Sequence, residues 1–271
     1  MKLASRYWFD LSTTDFRTLP MQDVIAVLPV AAIEQHGPHL PVGVDTHIMQ
    51  GYLDRAINAL PDDLPVLFLP IQTIGKSNEH LEFPGTITFS AETAIRAWSE
   101  IGDSVVRAGV KKLIIVNSHG GNISIMDIVA RDLRVRHKIL AVHVSWHRFG
   151  YPNDYTTAEL YHGIHAGEVE TSLMLAFRPE TVAMEKAQDF KPMTMQMEQR
   201  FTHLRHAQPA GFGWMSQDIS ADGAMGNAAA ASAEKGHRAA DFGAEKFIEL
   251  LRDVQAFDLA ALKDGPLGPQ G

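Results

Sequence analysis

Apolar residues in this chain fall into short unbroken runs, separated by stretches where they recur at helical spacing. VIAVLPV (24–30), VLFLP (66–70), KLIIVN (112–117) and ILAVHVS (139–145) are rich in β-branched residues and end in polar or glycine-rich turns. Such runs predict four buried strands. Between them, Ser90 is placed to cap a helix reaching about Ala108, with Ile95, Trp98, Ile101 and Val105 on one face. A second helix is expected from Ser124 to about His137, after the turn HGGN. Continuous apolar strands alternating with helices predict an α/β fold around a mostly parallel, covered sheet.

Beyond His147 the pattern loosens. A loop leads into a helix bearing Val169, Leu173, Met174 and Ala176, and the stretch 190–220 has no clean period, as expected of excursions over a core. Ala228 to Val254 predicts a long terminal helix that docks through Phe242, Phe247, Leu250, Leu251 and Val254. The closing KDGPLGPQG reads as a frayed tail. No repeat or linker divides the chain, so one domain over 1–271 is expected.

Composition narrows the function. With 271 residues, 45% of them apolar, the chain can bury a full-sized core. A net charge of −8 leaves no basic field for nucleic acid. Cysteine is absent, which excludes disulfides, thiolate metal sites and cysteine nucleophiles. No apolar stretch has the roughly 18 residues of a membrane span. Charges come too early in MKLASRYWFD for a signal peptide, so a soluble cytoplasmic protein is expected.

Ligand-type residues gather just past the strands, where open α/β sheets place their sites. The first strand leads to Glu34, His36 and Asp45; the second to Glu79, His80 and Glu82; the third to Asn117, Ser118, His119, Gly120 and Gly121; the fourth to Trp146 and His147. Any one of these alone reads as a solvated loop residue. Glu34 and His36 alternate and so share a side, and a Gly/Pro-rich loop can return Asp45 to them. Carboxylates and imidazoles together suit zinc, manganese or iron, and a carboxylate can bridge two ions. HAGEVETS (165–172) adds His165, Glu168 and Glu170 at a helix start, where capping and the helix dipole also favour acids. His39, His47, His80 and His147 read as supporting groups rather than ligands. G-x-S-x-G, G-x-x-x-x-G-K and G-x-G-x-x-G are all missing, which argues against serine-hydrolase, P-loop and dinucleotide chemistry.

Four motifs in order, LPVAAIEQHGPHLPVGVDTHI, FPGTITF, IIVNSHGGN and HAGEVETSLMLAFRP, resemble the creatininase (creatinine amidohydrolase) family over roughly residues 20–180. The resemblance implies a three-layer α/β/α domain, two divalent metal ions per chain and a homohexamer acting on a small-molecule amide. It implies Glu34 and His119 as ligands of one ion, His36 of the other, Asp45 as the bridge and His165 as base or proton shuttle. Creatinine-hydrolysing members have a ligand glutamate two residues after the metal-binding histidine, where this chain has Gly121. Glu170, ahead of Glu168, is the expected substitute, either as ligand or orienting His165. The expected substrate contacts are Glu79, His80, Ser118, Gly120, Gly121, Trp146 and Tyr161. Tyr161, and approximately Trp146, stand where those members enclose the ring with tryptophans, so creatinine itself is not the expected substrate. Cleavage of an amide or formamide C–N bond is expected; a metal-dependent lactonase or isomerase, or a non-catalytic metal-binding scaffold, are the alternatives.

Overall fold

In the computed structural model, which describes residues 3–263 and 265, four strands form a parallel sheet. They are β1 (Ile25–Val30), β2 (Val66–Phe68), β3 (Lys112–Asn117) and β4 (Leu140–Ser145), in the order β2-β1-β3-β4. Their register runs Ile25 beside Val66 and Lys112, and Lys112 beside Leu140, so β1, β3 and β4 end level, at Val30, Asn117 and Ser145. The expected strands are therefore all present, with ends displaced by two residues at most.

Every residue of β1 and β3 is buried, because the sheet is covered on both faces. Ile25, Val27, Ile114 and Val116 point to one side; Ala26, Leu28, Leu113 and Ile115 point to the other. On the second side pack α3 (Ala91–Arg107) and α4 (Ile123–His137), through Ala94, Trp98, Val105, Val129 and Leu133. Ser90 caps α3 as its sequence predicts, accepting the Thr93 N–H. On the first side lie α2 (Val44–Ala59), α6 (Glu168–Phe177) and α9 (Ala233–Ala256), with Met49, Tyr52, Leu173, Phe247 and Leu251 in a common core. Helix, sheet, helix is the three-layer arrangement the resemblance implies.

The remaining elements are short. α1 (Thr13–Thr18) precedes β1, and α5 (Thr157–His162) precedes α6. The stretch without clean periodicity, with the residues that flank it, forms β5 (Asp189–Phe190), α7 (Thr194–Arg200), β6 (Leu204–Arg205), β7 (Ala210–Gly211), α8 (Ser216–Ile219) and β8 (Gly226–Asn227). β5 pairs with β8, β6 with β7, and Met225 donates its N–H to the His165 carbonyl, so this excursion lies against the chain that enters α6. The terminal helix starts at Ala233 rather than Ala228, because Ser232 supplies the cap. The expected frayed tail lies outside the described residues apart from Lys263 and Gly265. No helix among the described residues is long and apolar enough to cross a membrane.

Candidate metal centre

Past the carboxyl ends of β1 and β3, ionisable side chains meet in a space nearly closed to solvent. Glu34, His36, Asp45, His80, His119 and His165 are each at most 5% exposed. Glu34 and His36 come from the irregular chain after β1, His119 from the turn after β3, and His165 and Glu170 from the start of α6. Asp45 differs from expectation. It sits in the first turn of α2 rather than in a returning loop, where the helix N-terminus favours a carboxylate.

Glu34 is the hub. Its Oε1 lies 3.2 Å from His119 Nδ1, 3.4 Å from His80 Nε2 and 3.5 Å from His165 Nδ1, while Ser77 donates its hydroxyl to Oε2. Asp45 reaches His119 Nδ1 at 3.5 Å and His36 Nε2 at 3.9 Å; Glu170 reaches His36 Nε2 at 3.7 Å. The ring of His165 lies between those of His36 and His80, with centroids 4.1 and 4.3 Å away.

Hydrogen bonds on the far side of each ring decide which nitrogen is free. His36 Nδ1 donates to the Glu34 carbonyl at 3.0 Å, leaving Nε2 buried and unpartnered. His119 Nε2 donates to the Lys76 carbonyl at 2.9 Å, turning Nδ1 towards Glu34 and Asp45. An imidazole held by a carbonyl on one nitrogen, with the other turned to the site, is the usual build of a histidine ligand. Asp45 Oδ2 is also buried without a hydrogen-bond partner. Buried polar atoms left unmatched are costly, and here they converge. Two donor sets, Glu34–Asp45–His119 and His36–Asp45–Glu170, each lie within 4.8 Å internally and share Asp45. The donor chemistry, the convergence and the orphaned atoms all fit divalent metal ions.

Charge in the cluster is distributed unevenly. Burial pushes the Glu34 carboxyl up, but the imidazoles of His119, His80 and His165 outweigh it and hold Glu34 well below the usual range. Burial and the neighbouring Glu34 charge push Asp45 well above it. Burial alone disfavours the His119 cation, yet Glu34, Asp45 and Glu79 raise it to about 10. Burial, with the His165 imidazole close by, keeps His36 well below its ordinary value and takes His80 to about 3. Glu170 is raised, chiefly by burial.

Other expected site residues separate into two groups. Glu79 Oε1 stands 3.7 Å from His119 Nε2, and Ser118 Oγ donates to the Asp45 carbonyl at 2.8 Å, so both border the cluster. Gly120 has open space where a side chain would go, whereas Gly121 is pressed between Glu79, Lys76 and His119. Glu168 points elsewhere, paired with Lys235, which leaves Glu170 as the acid of that segment at the cluster. Trp146 is a correction to its expected substrate contact. The turn after β4 directs it into the core, where its ring stacks on Tyr52 at 4.3 Å and its N–H meets Met49 Sδ. Tyr161 packs edge-on against His162 and His206, and its described contacts do not reach the cluster. Of the buried neutral residues, the sequence pattern singles out Asn117 after its strand but not Ser77 or Asn122. Ser77, Asn117 and Asn122 are fully buried, and Asn122 joins the Ala31 carbonyl, Asn117 Oδ1 and the Lys76 N–H. Their signal is polarity directly after apolar strands, which Asn117 shows and Ser77 does not.

Known proteins share this fold. The family model described as creatinine amidohydrolase matches residues 10–251. The mycofactocin precursor peptide peptidase of Mycobacterium tuberculosis is 30% identical over 184 residues, 65% of this chain and 68% of that protein. The creatinine amidohydrolase of Pseudomonas putida is 30% identical over 190 residues, 64% and 71% of the two chains. A crystal structure from Bacteroides fragilis, described as a candidate creatinine amidohydrolase, superposes with a TM-score of 0.76 at 26% identity, covering 95% of this chain and 99% of that one. Fold, buried cluster and relatives together define a hydrolase of amide C–N bonds with a metal-binding site. The chain belongs to the creatininase family.

Proposed function

We propose that this protein is a divalent-metal-dependent amidohydrolase that cleaves a C–N bond in a small amide, cyclic or open, or formamide. The observation that carries the reading is the pair of donor sets sharing Asp45, with His36 Nε2 and Asp45 Oδ2 buried and unmatched between them. Glu34 and His119 would hold one zinc, manganese or iron ion, His36 and Glu170 the second, and Asp45 both. Ions so held acidify a bound water and polarise the amide carbonyl. The protein's own groups do the rest. Ser118 fixes the Asp45 backbone, and Ser77 holds one Glu34 oxygen so that the other faces the imidazoles. His165, anchored through Nε2 on the Gln35 carbonyl at 2.7 Å, presents Nδ1 to collect a proton and deliver it to the departing nitrogen. Backbone N–H groups of the Gly120–Gly121 turn would donate to a developing oxyanion. The whole chain is read as one such domain, cytoplasmic and homohexameric as in the family it resembles.

Removal of metal with a chelator should abolish turnover across a panel of small amides, and zinc or manganese should restore it. His165→Ala should lower kcat by about 10²-fold or more while two ions per chain remain. Activity indifferent to both treatments refutes the reading. A second role for His165 has its own observation, because Glu34, His36 and His165 also converge within 4.8 Å. Loss of an ion in His165→Ala would move that residue from shuttle to ligand.

A further inference from the structure

Between Glu34 and His36 stands Gln35, 5% exposed. Its Oε1 accepts the Gly37 N–H at 2.9 Å, and its Nε2 donates to the Gly223 carbonyl at 2.9 Å. Those two partners fix the orientation of the amide, since a flip would set oxygen against oxygen and N–H against N–H. The remaining N–H of Nε2 faces His80 Nδ1 at 2.8 Å, nearer than Ser216 Oγ and His165 Nε2, each at 3.2 Å, and the latter gives its own proton to the Gln35 carbonyl. His80 Nδ1 must therefore accept, and His80 must carry its proton on Nε2, towards Glu34 Oε1. The same residue's carbonyl takes the His165 Nε2 proton, leaving His165 Nδ1 bare.

We propose that Gln35 is the positioning residue that sets the tautomers of two histidines with opposite tasks. Its side chain makes His80 a hydrogen-bond donor to the ligand carboxylate Glu34 and withholds His80 from metal. Its carbonyl makes His165 an acceptor on the cluster side. The clamp is built to fit. Gly223 adopts φ +73°, and a Cβ there would come within 2.8 Å of Gln35 Cδ, so the turn supplying the acceptor carbonyl excludes any side chain.

The consequence for turnover rests on the proposed function; the tautomers do not. Gln35→Glu keeps the shape and replaces the donating nitrogen with an acceptor. Long-range ¹H–¹⁵N histidine spectra of the zinc-loaded protein should show both His80 and His165 protonated at Nε2 in the parent. In Gln35→Glu the His80 proton should move to Nδ1, while His165, held by a backbone carbonyl, keeps its pattern. For a turned-over amide, kcat should fall about tenfold or more with KM within a factor of about three, the size of loss typical of an outer-shell partner. Gln35→Met, which removes the donor at similar volume, should release His80 without moving His165. His80 found with Nδ1–H in the parent, or unchanged in both variants, overturns the proposal. Shifted tautomers in a protein that hydrolyses no amide would uphold it and refute the function.

Discussion

Gly121 stands two residues after His119, and alanine there is a sharp test of how His119 is held. A Cβ at 121 would overlap Glu79 Oε1 and the Lys76 carbonyl oxygen and would sit 2.5 Å from His119 Nε2. The Glu79 side chain can swing outwards. The Lys76 carbonyl cannot, because it is backbone and its residue's N–H is bound to buried Asn122 Oδ1 at 3.0 Å. Retreat by that carbonyl stretches the 2.9 Å bond that orients His119. Overpacking costs about 1–3 kcal/mol and the lost hydrogen bond about 1 kcal/mol, so Gly121→Ala should destabilise the protein by about 2–4 kcal/mol. For a chain of this size that is a fall in Tm of about 5–10 °C. Zinc affinity should fall about 10–100-fold, the usual consequence of disturbing a ligand's hydrogen-bond partner. Calorimetric melting and metal titration of parent and variant read both quantities. An alanine variant that melts within 1 °C of the parent and binds zinc as tightly would show that the Lys76 turn does not hold His119, and the argument fails. Gly121→Glu should fare worse, since the same overlap stands in its way.

Two further outcomes follow from the cluster and the core. Against the effect of burial, Glu34, Asp45 and Glu79 raise His119 to about 10, so it carries a proton near neutral pH that a metal ion must displace. Zinc uptake by chelator-treated protein should release protons and tighten as pH rises from 6 to 8; titration calorimetry in buffers of different ionisation enthalpy measures the number, and buffer-independent heats would contradict it. Trp146→Ala should cost about 3–5 kcal/mol of stability, as removal of a core aromatic does, with KM little changed. A large KM effect in a protein of unaltered stability would return Trp146 to the substrate.

Much of this fold could be read from periodicity because the strands are buried on both faces and so appear as unbroken apolar runs. α2 escaped that reading. Its first turn carries the ligand candidate Asp45, and its buried face, Val44, Ile48, Met49, Tyr52, Leu53 and Ala56, is interrupted by His47, Gln50 and Gly51. The charged members of the site could be read from residue type and position after the strands. Gln35 and Ser77 could not, since a neutral amide or hydroxyl in a loop has no spacing that sets it apart. Trp146 was misplaced for a related reason: its sequence position matches a site residue approximately, but packing against Tyr52 decides where an indole goes.

The donors come from four stretches of chain, after β1, at the head of α2, after β3 and at the head of α6. Ions bound there would fasten the molecule at a single internal knot, closing loops that run from Asp45 to His119 and from His119 to Glu170. A polymer fastened in this way can change its outer coils without loosening the fastening. The exposed coil around β6 and β7 is therefore free to change in sequence while the knot stays fixed, whereas the turns that carry Gly223 and His165 are not.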